Sequence, residues 1–298
     1  MPSDVAARAA PTVASRHRVV KGLRCHHLEA GAGPPLVLLH GTAFDSAALS
    51  YGATLPALAT RHRVLALDWP GYGASEVPRT TLSMDDCVDL LAAFLTEHAV
   101  ERAHVAGFSM GGAVALAYAL RHGDRVASLT MIGSYGLDDR LPVPLVPYLA
   151  LRVPLLQRGV VWSLRRSKAL TRLVLGRLVF ADRRLVTDAL VEEVHRQVGA
   201  TEAERSFVAW LRGELRPFRL ATSYAERLGD VGVPTLLVHG RRDRVVSWRK
   251  ARGAHERLMD SRLVVVPGCG HWVPREAPEA FVEALQAFIA DAAPPRSP

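Results

Sequence analysis

Short apolar runs recur along this chain, separated by amphipathic helical stretches, and that alternation is what most restricts its fold. Leu36-Val37-Leu38-Leu39, Val64-Leu65-Ala66-Leu67, Ala103 to Phe108, Ala127 to Ile132, Thr235 to His239 and Leu263 to Val266 each read as a short strand. Unbroken apolar runs suit strands that are covered on both faces. Ser83 and Asp86 make a capping-box pattern that opens a helix running to about His98. Further helices are predicted over Ser109 to Arg121, which is rich in alanine, and over Pro278 to Ala290. The pattern predicts an α/β fold: a mostly parallel central sheet with helices on both faces.

The alternation breaks between about Leu137 and Gly229. This stretch holds Pro142, Pro144, Pro147 and Pro154, followed by helical patterns without a clear strand. Leu170, Leu173, Val174 and Leu178 fall on one face of a helix at 3.6-residue spacing. Because the stretch interrupts the β-α alternation, it reads as an inserted helical cap over the carboxyl ends of the strands. The expected organisation is a flexible N-terminus over 1–17, a core over 18–136 and 229–291, a cap over 137–228 and a disordered tail over 292–298.

Composition removes several other classes. No apolar run reaches the ~18–20 residues that a membrane-spanning helix needs. The alanine-rich start lacks the apolar segment of a secretory signal. Three widely spaced cysteines, Cys25, Cys87 and Cys269, include no CxxC pair, so neither a disulfide framework nor a zinc site is expected. A cytoplasmic protein is the resulting expectation. The formal net charge of +8 invites a nucleic-acid reading. Most of the chain's arginines are scattered among acids, with one basic concentration between Arg152 and Arg184, and no aromatic or zinc-finger pattern accompanies them, which argues against it.

Chemistry concentrates at Gly107-Phe108-Ser109-Met110-Gly111-Gly112, a G-x-S-x-G motif set between a strand and a helix. A serine on such a turn is exposed as a nucleophile, and the following helix offers unpaired N–H groups to a developing oxyanion. Serine needs a base, and the base needs an orienting carboxylate. Asp243 and His271 supply them in the order Ser…Asp…His, each just beyond a predicted strand end, where α/β sheets place their ligands. The oxyanion would be held by the N–H groups of Met110 and of Thr42, with Ala43 as the alternative to Thr42. His40 fits a loop-stabilising role better than a catalytic one. Phe44, Phe108, Tyr135 and Trp272 are placed either to line a substrate pocket or to pack the core. No metal and no organic cofactor is expected.

Four motifs carry a family resemblance: Leu39-His40-Gly41-Thr42, Asp68-Trp69-Pro70-Gly71-Tyr72-Gly73-Ala74-Ser75, Gly107 to Gly112, and Gly270-His271-Trp272. With them the chain, over about residues 18 to 290, resembles the cap-bearing α/β-hydrolases. The second motif is similar to that family's D-x-P-G-x-G-x-S loop and reads as structural. A serine at 109 departs from the dehalogenases and epoxide hydrolases of the family, which use aspartate. The carbon–carbon bond hydrolases of aromatic degradation are similar around Cys269-Gly270-His271-Trp272. They typically carry asparagine before the serine and a glycine-rich oxyanion loop, whereas this chain has Phe108 and Thr42-Ala43-Phe44. The cofactor-free perhydrolases share Gly-Phe-Ser-Met-Gly-Gly but usually place an aromatic residue where Thr42 stands.

These comparisons lead to the expectation of a serine esterase that cleaves a small-molecule carboxylic ester through an acyl-enzyme. The alternatives are a carbon–carbon bond hydrolase, or a receptor or acyltransferase that keeps the same three residues. Arg165, Lys168 and Arg172, at i, i+3 and i+7, also suggest a basic cap helix able to touch an anionic membrane, set against a merely solvated face.

Overall fold

A computed structural model describes residues 11–138, 153–199, 208, 210, 212–216 and 219–292. The expected disordered tail lies, except for Ala292, outside the described residues, as do residues 1–10 and Pro142, Pro144 and Pro147.

Eight strands form one sheet. In chain order they are β1 (Ala14–Val20), β2 (Leu23–Ala30), β3 (Pro35–Leu39), β4 (Arg63–Leu67), β5 (Ala103–Phe108) and β6 (Val126–Ile132). After a helical segment and a two-residue hairpin of β7 (Leu215–Arg216) and β8 (Arg219–Leu220), the sheet resumes with β9 (Thr235–Gly240) and β10 (Ser261–Val266). Their order across the sheet is β1-β2-β4-β3-β5-β6-β9-β10. The six strands from β4 to β10 run parallel, while β1 and β2 are antiparallel to their neighbours.

Side-chain alternation divides the core between the two faces. Val37, Leu39, Leu65, Leu67 and Val105 pack on one side with α3 (Met84–Glu97) and α4 (Met110–Arg121). Leu36, Leu38, Ala66, Ala106 and Phe108 pack on the other with α1 (Ala47–Tyr51) and α2 (Leu55–Leu58). The α/β architecture read from the sequence is therefore observed, with helices on both faces. Each fully buried leucine or valine contributes roughly 1.5–3 kcal/mol by leaving water. Ser83 caps α3 reciprocally with Asp86, as its spacing predicted.

The N-terminal boundary needs correction. Residues 14–17 belong to β1 rather than to a flexible arm. The strand escaped notice because only Val20 in it is fully buried, and its partner β2 buries His26 and His27 where apolar residues would have signalled a strand. Lys21 and Gly22, both at positive φ, make the tight turn between them.

Between β6 and β9 the chain forms α5 (Pro154–Arg166), α6 (Lys168–Val174) and α7 (Asp188–Gly199). Two expectations fail here. The leucine face is broken: Leu173 on α6 and Leu178 in a wide turn over Leu175–Val179 are about half exposed, while Thr171 and Leu175 are buried. The basic face is broken too: Ser167 is non-helical, so Arg165 lies on α5 while Lys168 and Arg172 lie on α6. Lys168 pairs with Glu192 and Arg172 with Asp188, both from α7.

Candidate active site

Ser109 occupies the turn from β5 into α4 at φ 52°, ψ −112°, a strained conformation for a residue with a β-carbon. Crowding explains the flanking glycines. A Cβ on Gly107 would stand 2.1 Å from the Gly111 carbonyl oxygen, and one on Gly111 would stand 2.3 Å from that of Leu39. The turn thus presses α4 against β3 and β5 and aims the serine off the sheet.

His271 and Asp243 reach the same place from the loops after β10 and β9. His271 Nε2 lies 3.2 Å from Ser109 Oγ, and its Nδ1 lies 2.8 Å from Asp243 Oδ2. Asp243 is locked from two directions. Its Oδ1 accepts the backbone N–H groups of Val245 and Val246, both at 2.8 Å. Its Oδ2 faces His271 and also His239 Nε2 at 3.0 Å. Burial alone would raise the Asp243 pKa, but the His271 charge and the hydrogen bonds from His239 and His271 hold it well below the usual carboxylate range. An ionised Asp243 fixes a proton on His271 Nδ1 and leaves Nε2 free to accept one from Ser109.

The loop after β3 is also organised. Gly41 N–H is committed to Asp45 Oδ2 at 2.8 Å, so it is not available to a substrate. His40 receives the Trp69 N–H on Nε2 and bonds the Gly41 carbonyl through Nδ1, consistent with a structural role in the loop. Thr42 follows, its hydroxyl 3.0 Å from the Tyr72 hydroxyl, and Ala43 sits at φ 68°. Met110 opens α4, where the first-turn N–H groups have no intrahelical acceptor.

A cavity of about 530 Å³ opens beside Met110, walled by Trp69, Pro70, Tyr72, Leu82, Arg79 and Trp210 among others. None of Phe44, Phe108, Tyr135 and Trp272 lines it. Phe108 stacks on Trp272 at 6.3 Å and lies 4.9 Å from the His271 ring, while Tyr135 packs against Trp210. Trp272 donates to Ser50, which in turn donates to Asp45 beneath the oxyanion loop. The loop read as purely structural supplies much of the wall instead. A Cβ on Gly73 would fall 1.9 Å from Asp68 Oδ2, so the loop does close tightly, and Trp69, Pro70 and Tyr72 face the cavity at the same time. The Trp-Pro and Tyr side chains within that motif were the available signal. Among the described residues no cluster of three or more potential metal ligands occurs, and no helix is long and apolar enough to cross a membrane.

The model of the alpha/beta hydrolase fold family matches residues 34–278. The chain belongs to that family. It is 30% identical to 2-hydroxymuconate semialdehyde hydrolase of Pseudomonas sp. (strain CF600), over 93% of this chain and 94% of that one. It is 28% identical to 2-hydroxy-6-oxo-2,4-heptadienoate hydrolase of Pseudomonas putida, over 90% and 94%. Among solved structures, the meta-cleavage product hydrolase CumD from Pseudomonas fluorescens IP01 superposes with a TM-score of 0.80 at 26% identity, covering 93% and 98% of the two chains. These relatives overturn the expectation of a carboxylic ester substrate, because they are carbon–carbon bond hydrolases. What stands is a serine hydrolase acting on a small molecule.

Proposed function

We propose that this serine hydrolase cleaves the carbon–carbon bond beside the ketone of a 2-hydroxy-6-oxodienoate, giving a carboxylic acid and a shortened 2-hydroxydienoate. The near full-length likeness to hydrolases named for that compound class carries the choice of bond. Chemistry sets the order of events. Carbon is a poor leaving group, so the dienol first shifts a proton to C5, which makes a 2-keto group conjugated to the departing carbon. Ser109 Oγ then attacks the C6 carbonyl while His271 Nε2 takes its proton, and Asp243 steadies the imidazolium. The N–H groups of Met110 and Thr42 hold the oxyanion; each such donor contributes about 10²–10³ in turnover. Collapse breaks the C5–C6 bond, the electron pair is delocalised onto the 2-oxygen, and His271 returns the proton. Water activated by His271 releases the acid from Ser109.

Phe108 places an apolar ring immediately before Ser109, beside the His271 ring. The anionic end of the substrate then needs a partner elsewhere, and Arg79 is the charged residue on the cavity wall. Purified enzyme mixed with 2-hydroxy-6-oxo-2,4-heptadienoate should bleach the conjugated absorption of the dienol and release one acetate per turnover, and Ser109→Ala should abolish both. An enzyme that reacts with a fluorophosphonate at Ser109 yet leaves the dienoate intact would sink the proposal.

A further inference from the structure

The positive charge of this chain is localised. Between Arg152 and Arg184 stand nine lysines and arginines against one acid, Asp182, and that excess equals the +8 of the whole chain. Apolar exposure gathers in the same stretch. Of the ten large exposed apolar side chains among the described residues, six lie there or one residue beyond: Val153, Leu156, Trp162, Leu173, Leu178 and Leu185. On α5 the exposed positions Leu156, Gly159, Trp162 and Arg166 follow one another at three- and four-residue spacing, forming a single outward stripe. Trp162 is 58% exposed, with the Arg166 guanidinium 5.0 Å from its ring centroid.

Not all of this charge is free. Lys168, Arg172 and Arg184 are paired with Glu192, Asp188 and Asp182. Arg166, Arg177 and Arg183 are exposed and make no ion pair among the described residues, and each lies close in sequence to an exposed apolar side chain.

We propose that the exposed apolar and basic side chains of α5 and of the segment from Leu173 to Leu185 dock on an anionic lipid surface. Apolar side chains interleaved with arginines suit the headgroup boundary, where tryptophan and leucine enter the acyl edge and guanidinium groups stay among the phosphates. A protein partner fits less well, because interface cores are depleted of charge. A second copy of the chain fits worst, since it would bring the same arginines face to face. The lipid reading is independent of which bond Ser109 breaks.

The test is co-sedimentation of the full chain with phosphatidylcholine vesicles, with and without 30% phosphatidylglycerol, in low and high salt. At low salt the partition coefficient should be at least tenfold higher on the anionic vesicles, and 0.5 M salt should remove that gain. Each basic residue near an anionic surface contributes about fivefold. Reversing charge at Arg177→Glu and Arg183→Glu together should therefore lower partition at least 25-fold. The apolar variant Trp162→Ser should lower it several-fold even where salt is high. Circular dichroism confirms that each variant is folded, and the two variants probe different residues, so loss of one leaves the other as a test. Equal binding to neutral and anionic vesicles, no binding by the wild type, or indifference to Arg177→Glu/Arg183→Glu would overturn the proposal. So would a concentration-dependent dimer in sedimentation velocity that Trp162→Ser dissolves, because the face would then be an interface between copies.

Discussion

Replacing Asp243 by asparagine isolates what the carboxylate does, because the surrounding bonds dictate how the new amide must sit. Oδ1 is held by two backbone donors, the N–H groups of Val245 and Val246, both at 2.8 Å. An amide nitrogen cannot accept either bond, so the amide oxygen takes this position and the NH2 group turns toward His271 and His239. His239 loses its carboxylate acceptor but keeps its Nε2–H on the Val246 carbonyl at 2.8 Å. His271 does not: its Nδ1 now faces a donor, so the ring keeps its proton on Nε2, pointing at Ser109 Oγ. In that tautomer it cannot serve as the base. Loss of the base by tautomer exchange costs about 10⁴ in turnover, close to 5 kcal/mol of barrier. The assay is the rate of fluorophosphonate labelling at Ser109, alongside dienoate turnover, for wild type, Asp243→Asn and Asp243→Ala. Both rates should fall by about 10³–10⁴ in Asp243→Asn, with little change in the unfolding midpoint. A loss below tenfold would refute the locked-amide reasoning, and an equally large fall in stability would show that Asp243 acts mainly as a structural anchor.

Three further outcomes follow from other parts of the molecule. His27 and His104 are buried, and burial together with neighbouring His98 and His62 lowers each pKa from 6.5 to about 4. Their folded values lie below the unfolded value, so their contribution is present above about pH 6.5 and is lost as pH falls toward 4. Going from pH 8 to pH 5 should cost about 1–2 kcal/mol per histidine after allowance for solvent screening. Urea titrations should show that loss shrinking by the same amount in His27→Gln and in His104→Asn, which keep a hydrogen-bonding group without its titration. Gly73→Ala should destabilise the protein by roughly 3 kcal/mol, since Gly73 sits at φ 54° with no room beside the Asp68 carboxylate; a thermal melt within a degree of wild type would contradict the observed loop. Arg79→Gln should raise KM for the carboxylate-bearing dienoate about 10–100-fold, the worth of a charge-assisted pair, while leaving fluorophosphonate labelling unchanged. Equal effects on both reactions would remove Arg79 from substrate recognition.

Legibility from sequence followed how locally each feature is encoded. Ser109, Asp243 and His271 each stand within a few residues of a strand end, and an apolar run announces the strand. Three local signals therefore located a group whose members are 134 and 28 residues apart in the chain. Strands β1 and β2 escaped because β2 buries histidines, held by Ser15, Asp68 and His98, in place of aliphatic side chains. The aromatic positions were misleading for a related reason. Phe108 and Trp272 are neighbours of the reacting residues in sequence, yet both belong to the core on the α1 side of the sheet. The cavity wall joins the loop after β4 to Trp210 in the inserted segment, a junction that no short window of sequence contains.

The cap shows why a regular pattern can mislead even where a helix does form. The spacing of Leu170, Leu173, Val174 and Leu178 presumes 3.6 residues per turn throughout. Phe180 N–H instead bonds the Leu175 carbonyl, five residues back, and each residue added to a turn rotates everything beyond it by about 100°. The rotation carries Leu178 out of the stripe, and Leu173 already faces water. The same arithmetic undoes the basic stripe, because Ser167 ends one helix and caps the next, so Arg165 and Lys168 share no helical face. What replaces both stripes is a segment in which leucines, a tryptophan and arginines without an ion pair among the described residues are exposed. An isolated exposed leucine needs no explanation, but six large apolar side chains within, or one residue beyond, the segment that holds the chain's whole net charge do. The departure from ideal helix geometry thus moves Leu178 from a buried pattern in the sequence to the exposed surface, where it joins Leu156, Trp162 and Leu173 among the exposed apolar side chains.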